Sequence, residues 1–130
     1  MKYVYPAIFT LEEGSYSVSF PDLKNCYTCG SDVKDALINA EDVLCLMLWD
    51  MEENKEEIPA PSNPSSVKCG DNSFLSLVSA DTTAYRKQYD TRAIKKTLTI
   101  PHYLDELAKE KNINFSNLLQ RALIKELGLQ

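Results

Sequence analysis

Apolar and polar positions follow two different periods along this chain, and the switches between them mark its elements. Residues 2–11 are rich in β-branched, aromatic and aliphatic side chains (Tyr3, Val4, Tyr5, Ile8, Phe9, Leu11), which is a strand composition. Pro6 inside this run has no N–H to give a ladder, which predicts an edge or bulged strand. Glu12-Glu13-Gly14-Ser15 is a turn. Tyr16-Ser17-Val18-Ser19-Phe20 then alternates apolar with Ser, one face buried and one wet, and completes a hairpin. Pro21-Asp22 stops it, and Asn25 to Cys29 read as a short third strand ended by Gly30.

The period then changes to that of a helix. Ser31 is a good N-cap, with Asp32 and Asp35 at the positive end of the macrodipole. Val33, Ala36, Leu37, Ala40, Val43, Leu44, Met47, Leu48 and Met51 recur at helical spacing, predicting a long amphipathic helix packed on the sheet. Glu52, Glu53, Glu56 and Glu57 oppose the macrodipole, so this end is expected to fray into a solvated acidic face. Ile58 to Asp71, with Pro59, Pro61 and Pro64, is a proline-stiffened connection. Phe74 to Val78 reads as a fourth strand. The fold class is α+β, with a β-β-β-α-β unit over residues 1–80. Residues 81–92 are polar and read as a linker with one helical turn.

Residues 93–130 form a second unit. Ile94 to Ile100 reads as a strand with Leu98 and Ile100 on one face and Lys95, Thr97 and Thr99 on the other. Pro101 suits the first turn of a helix running to about Lys111, with Asn112 as a left-handed terminator. Asn114 or Ser116 caps a second helix carrying Leu118, Leu119, Ala122, Leu123 and Leu127, closed by Gly128. So small a unit cannot bury much apolar surface alone. A second copy remedies this: two strands pair antiparallel, four helices enclose one core, and the paired strands make a ribbon sized for the DNA major groove.

Charge sharpens the division. The net charge is −5. Residues 1–66 hold 4 Lys/Arg and 12 Asp/Glu, whereas residues 67–130 hold 10 Lys/Arg and 7 Asp/Glu. An acidic first half suits a basic protein partner and a basic second half suits phosphate. With no signal peptide and no apolar run long enough for a membrane span, the protein is expected in the cytoplasm, away from membranes.

At this point the residues resemble a known family. Lys96-Thr97-Leu98-Thr99-Ile100-Pro101, Tyr103-Leu104, Leu107-Ala108, Asn114-Phe115-Ser116 and Leu119 to Leu123 resemble a ribbon-helix-helix domain. Tyr16, Val18, Pro21-Asp22-Leu23, Cys26, Gly30, the Ala36-Leu37 and Asn39-Ala40 steps and Ile58-Pro59-x-Pro61-Ser62 resemble the sensor domain of HicB antitoxins. The resemblance implies a toxin–antitoxin pair whose toxin is HicA, a small basic ribonuclease that cuts messenger RNA with a histidine. It implies that residues 1–80, a partial ribonuclease H-like fold without its acid cluster, cover that toxin and catalyse nothing. Residues 93–130 would bind the operon's own promoter as a homodimer, with the step from dimer to tetramer open. By position, Lys95, Thr97 and Thr99 would face base edges, and backbone N–H groups near Phe115 and Ser116, aided by Asn114, would hold phosphate. Many relatives have Ser-Arg-Ser where this chain has Asn114-Phe115-Ser116, which weakens one phosphate contact. Phe20, Pro21, Asp22 and Leu23 are the candidate toxin-facing edge.

Other constellations carry less. Cys26-Tyr27-Thr28-Cys29 is a CxxC, but Cys45, Cys69 and His102 are not at zinc-ligand spacing, and Gly30 and Ser31 separate it from the helix that thiol-redox chemistry would use. Cys45 reads as core and His102 as a surface residue. Asp22 reads as a turn cap. Walker, GxGxxG and HExxH motifs are absent. No cofactor or metal is expected. Two rivals to an antitoxin stand: a ribbon-helix-helix regulator whose first domain senses a different ligand or protein, and a thiol-redox enzyme using the CxxC.

Overall fold

The computed structural model describes residues 1–129. Its elements are β1 (Lys2–Glu12), β2 (Ser15–Ser19), β3 (Tyr27–Gly30), α1 (Val33–Glu53), β4 (Ser73–Asp81), α2 (Thr82–Tyr89), α3 (His102–Glu110) and α4 (Phe115–Glu126), with a short 3-10 turn over Pro64–Ser66. The chain is α+β, with one four-stranded antiparallel sheet in the order β3-β2-β1-β4 and four helices. It divides into two units, Met1–Arg92 and Ala93–Gln130.

The hairpin between β1 and β2 turns on Glu13 and Gly14, both at positive φ (47° and 82°), the twist that matches paired strands. Register then decides the core. Phe9 stands opposite Val18 on β2 and Phe74 on β4, and Tyr5 opposite Val78. Tyr5, Ala7, Phe9, Val18, Val78 and Ala80 therefore share one face and are buried. Against them α1 lays Ala36, Ala40, Leu44 and Leu48, spaced four residues apart and all buried. Small side chains at the start of α1 let it approach the sheet closely. A Cβ at Gly30 would come within 2.3 Å of the Ala36 amide nitrogen, so the helix can start here only over a glycine.

The structure corrects four expectations in this unit. β1 is an inner strand, not an edge: Pro6 lies in the half that β4 alone pairs, since β2 pairs only Ile8 to Glu12, so its missing N–H costs little. The N-cap of α1 is Asp32, whose carboxylate accepts from the Asp35 amide at 2.7 Å, while Ser31 donates to Asp35 instead. The acidic end of α1 does not fray. Helix continues to Glu53, and Arg86 binds Glu52 and Glu53, each at 2.9 Å, supplying the positive charge that the helix end lacks. That arginine comes from α2, where a linker with a single turn was expected. Asp81 caps α2 by accepting from the Thr83 and Ala84 amides at 3.1 and 3.2 Å.

In the second unit, Asn112 ends α3 at φ 55° and Asn114 caps α4, accepting from the Asn117 amide at 3.1 Å. Gly128 follows α4 at φ 71°. Residues 90–100 carry no strand ladder in the single chain. A ladder needs a partner strand, and within this unit there is none for residues 94–100.

Candidate DNA and partner interfaces

Lys95, Thr97 and Thr99 are exposed, on a stretch whose alternate residues Leu98 and Ile100 are also exposed, at 61% and 49%. The rest of the unit is equally open. Among its described residues none is buried, and 13 large hydrophobic side chains from Ile94 to Leu129 are exposed. They include Leu104 and Leu107 on α3 and Leu118, Leu123 and Leu127 on α4. Exposed apolar patches of this extent mark interaction surfaces.

The start of α4 carries Asn114, Phe115 and Ser116, the residues expected to hold phosphate. A helix's first amides lack acceptors within the helix. Asn114 takes the amide of Asn117, and those of Phe115 and Ser116 have no acceptor within the helix. The Ser116 hydroxyl accepts from Gln120 at 3.2 Å, and the Phe115 ring is 42% exposed. Lys95 and Lys96 bring positive charge to the preceding segment, which has no acid between Ala93 and Leu104.

In the first unit the four residues Phe20 to Leu23 divide. Phe20 and Leu23 are core residues, and the loop is closed by hydrogen bonds from the Phe20 amide to the Cys26 carbonyl and from the Leu23 amide to the Phe20 carbonyl, both 3.1 Å. Pro21 is exposed. Asp22 is half-buried and accepts from the Ser62 amide at 3.0 Å and from the Ser62 hydroxyl. The Tyr5 hydroxyl donates to the Pro59 carbonyl. The proline-rich connection is thereby fastened across the end of the sheet.

Glu52 is the most tightly held carboxylate. Tyr3 donates to it at 2.7 Å, Thr82 at 3.0 Å and Arg86 at 2.9 Å. Burial alone would push its pKa up, but these hydrogen bonds outweigh burial and hold it below the ordinary carboxylate value. Burial, and then the hydrogen bond to Glu52, push the Tyr3 hydroxyl up to about 12. The knot joins β1, α1 and α2.

The cysteines are all free. Cys26 is buried, and burial pushes its thiol up to about 11, away from nucleophilic chemistry. Cys29 is exposed on β3, and Cys45 packs against the core. His102 is exposed and pairs with Glu106 at 3.0 Å. Among the described residues no group of three or more His, Cys, Asp or Glu could hold a metal ion, and no helix is long and apolar enough to cross a membrane.

Sequence reasoning missed the aromatic contact between α1 and α2. Trp49 meets Tyr85 edge-on with centroids 5.6 Å apart, and Tyr85 meets Tyr89 at 4.5 Å. Its signal was present: Asp81-Thr82-Thr83 is a helix start, and Tyr85 and Tyr89 are four apart, on one helix face.

Comparison with known proteins covers both units. The family model of a HicB-like antitoxin of bacterial toxin-antitoxin systems matches residues 5–123. A chain of a toxin–antitoxin complex from Streptococcus pneumoniae is 32% identical, with a TM-score of 0.64 over 97% of this chain and 99% of that one. A chain of a HicA3 and HicB3 toxin–antitoxin complex shares the fold, with 21% identity and a TM-score of 0.52 over 61% of this chain and 99% of that one. A 14.9 kDa protein of Haemophilus phage HP1, of uncharacterized role, is 33% identical over 61 residues, which are 47% of this chain and 45% of the phage protein. The match therefore spans less than half the length of that relative.

Proposed function

The chain belongs to the HicB-like antitoxin family, and from that premise we propose that it neutralises a small HicA-like ribonuclease toxin and represses its own operon. The observation that carries this reading is the span of the family match, residues 5–123, which takes in both units. The first unit, read as a partial ribonuclease H-like fold, is the toxin-binding part and has no catalytic role. The second, read as a ribbon-helix-helix domain, is the dimerisation and DNA-binding part of a cytoplasmic repressor.

The physical case for the second unit is its missing core. Thirteen exposed hydrophobic side chains in fewer than forty residues are costly to leave in water. A second copy offers strand pairing along residues 94–100 and a shared helical core. The same pairing turns Lys95, Thr97 and Thr99 to one face of a two-stranded ribbon for the major groove, with the amides of Phe115 and Ser116 on the flanking phosphates. In the first unit, Phe20 and Leu23 anchor the loop that displays Pro21 and Asp22, the edge expected to meet the toxin.

The experiment takes the full chain with the small basic protein encoded beside it. Suppression of that protein's RNA cleavage, together with a salt-sensitive shift of a promoter fragment, supports both activities. A promoter shift without any stoichiometric protein partner would favour a regulator whose first unit senses something else.

A further inference from the structure

A helix packed on a sheet normally turns only polar side chains to water, and α1 adds an exposed leucine to its carboxylates. Its buried stripe is complete with Ala36, Ala40, Leu44 and Leu48. Away from that stripe, Leu46 is 50% exposed. With Val43, Met47 and Asp50 it lines an open depression of about 350 Å³. The next residues along α1 line a second depression of about 340 Å³, formed by Trp49, Glu53, Tyr89, Asp90, Thr91 and Arg92. Trp49 and Asp50, one lining each depression, are chain neighbours on α1.

The charges on this surface decide its occupant. From Glu41 to Glu53, α1 carries five carboxylates and no Lys or Arg. Arg86 pairs with Glu52 and Glu53, and Arg92 pairs with Asp90 in the second depression, so the acidic surplus rests on Glu41, Asp42 and Asp50 around the first. Nucleic acid would be repelled. A second copy of the same face would bring like charges together, which costs affinity. A basic protein would be attracted.

We propose that this face of α1, from Val43 to Asp50, is where the toxin docks: an apolar side chain of the basic partner enters the Val43–Leu46–Met47 depression, and a cationic one meets Asp50 at its rim, next to Trp49. The proposal rests on the antitoxin reading and deepens it. It places the main energetic contact on α1, while Phe20 and Leu23, being core residues, support their loop from within. Trp is prominent among residues that dominate interface energies, and here it is flanked by polar groups able to form a rim.

Trp49 is the chain's sole tryptophan, so its fluorescence reports on this surface alone. The full chain is titrated with the small basic protein encoded beside it, prepared with Phe at any Trp position. The proposal expects a blue shift of Trp49 emission and loss of its quenching by acrylamide on binding. Leu46→Lys should weaken the complex at least roughly 30-fold. Asp50→Lys, a second variant at an exposed position, should slow association and reduce its salt dependence. Leu77→Lys, on the sheet face that α1 does not cover, should change nothing. Each variant is compared at an unchanged far-ultraviolet spectrum.

A complex that forms with Trp49 still quenched, and with full affinity after Leu46→Lys and Asp50→Lys, overturns the docking face and leaves the antitoxin reading standing. No binding by the unaltered chain overturns both. Shielding of Trp49 in the free chain, relieved by dilution or by Leu46→Lys, would show that the face joins two copies and also overturns the proposal.

Discussion

The carboxylate of Asp22 accepts hydrogen bonds from both the backbone amide, at 3.0 Å, and the hydroxyl of Ser62, forty residues further along the chain. Two segments that look unrelated in the sequence, the stop after β2 and the proline-rich connection after α1, thus form one structural feature. Tyr5 completes it through the Pro59 carbonyl.

Asp22→Ala removes both bonds and strands a partly buried amide. A loss of about 1.5–3 kcal/mol is expected for hydrogen bonds to a charged group. Ser62→Ala keeps the amide bond and should cost less, about 1 kcal/mol. Urea unfolding of the three proteins at neutral pH orders them, and equal midpoints would mean the clasp contributes nothing.

The Glu52 knot predicts opposite pH effects at its two ends. The Glu52 pKa is lowered in the folded chain, so its contribution is present above the ordinary value of 4.5 and is lost as pH falls through the folded value. The Tyr3 pKa is raised, so its contribution is complete below 10.0 and is lost as pH climbs toward about 12. Glu52→Gln should therefore lower stability at pH 7 and converge with the unaltered chain in acid. A stability difference that stayed constant down to pH 3 would contradict this.

Leu98→Asp or Leu123→Asp places a carboxylate in the core that two second units are proposed to share. Burying an unpaired charge is costly enough to dissociate them. Sedimentation should show the mass of the assembly falling, with the first unit's circular dichroism retained. Unchanged mass would remove the shared-core account.

Thr97→Ala with Thr99→Ala should weaken promoter binding at least roughly 10-fold and leave toxin neutralisation intact. A gel-shift titration and an RNA-cleavage assay on one preparation test the division of labour. Equal loss of both activities in a folded protein would contradict it.

Much of the architecture was legible because it depends on period. The alternation over Tyr16–Phe20 and the four-residue spacing of Ala36, Ala40, Leu44 and Leu48 each bury one face only, and burial is what fixed β2 and α1. What escaped was tertiary. Pro6 reads as an edge residue unless the early end of β2 is known. The acids at the end of α1 read as a solvated run because Arg86, which binds two of them, lies more than thirty residues away. The interface residues were legible only in part. Lys95, Thr97 and Thr99 are exposed, but so are Leu98 and Ile100, so exposure in the single chain does not separate the two faces that alternation predicts. Phe20 and Leu23 lie where the chain folds inward, and no local pattern says so.

Whether this chain is an antitoxin is tested most directly by the RNA-cleavage rate of the small basic protein encoded beside it as the full chain is added. Cleavage should fall to background once the chain reaches stoichiometric amounts, within a complex that survives gel filtration. Cleavage that continues at its original rate with the chain in excess would contradict the antitoxin reading.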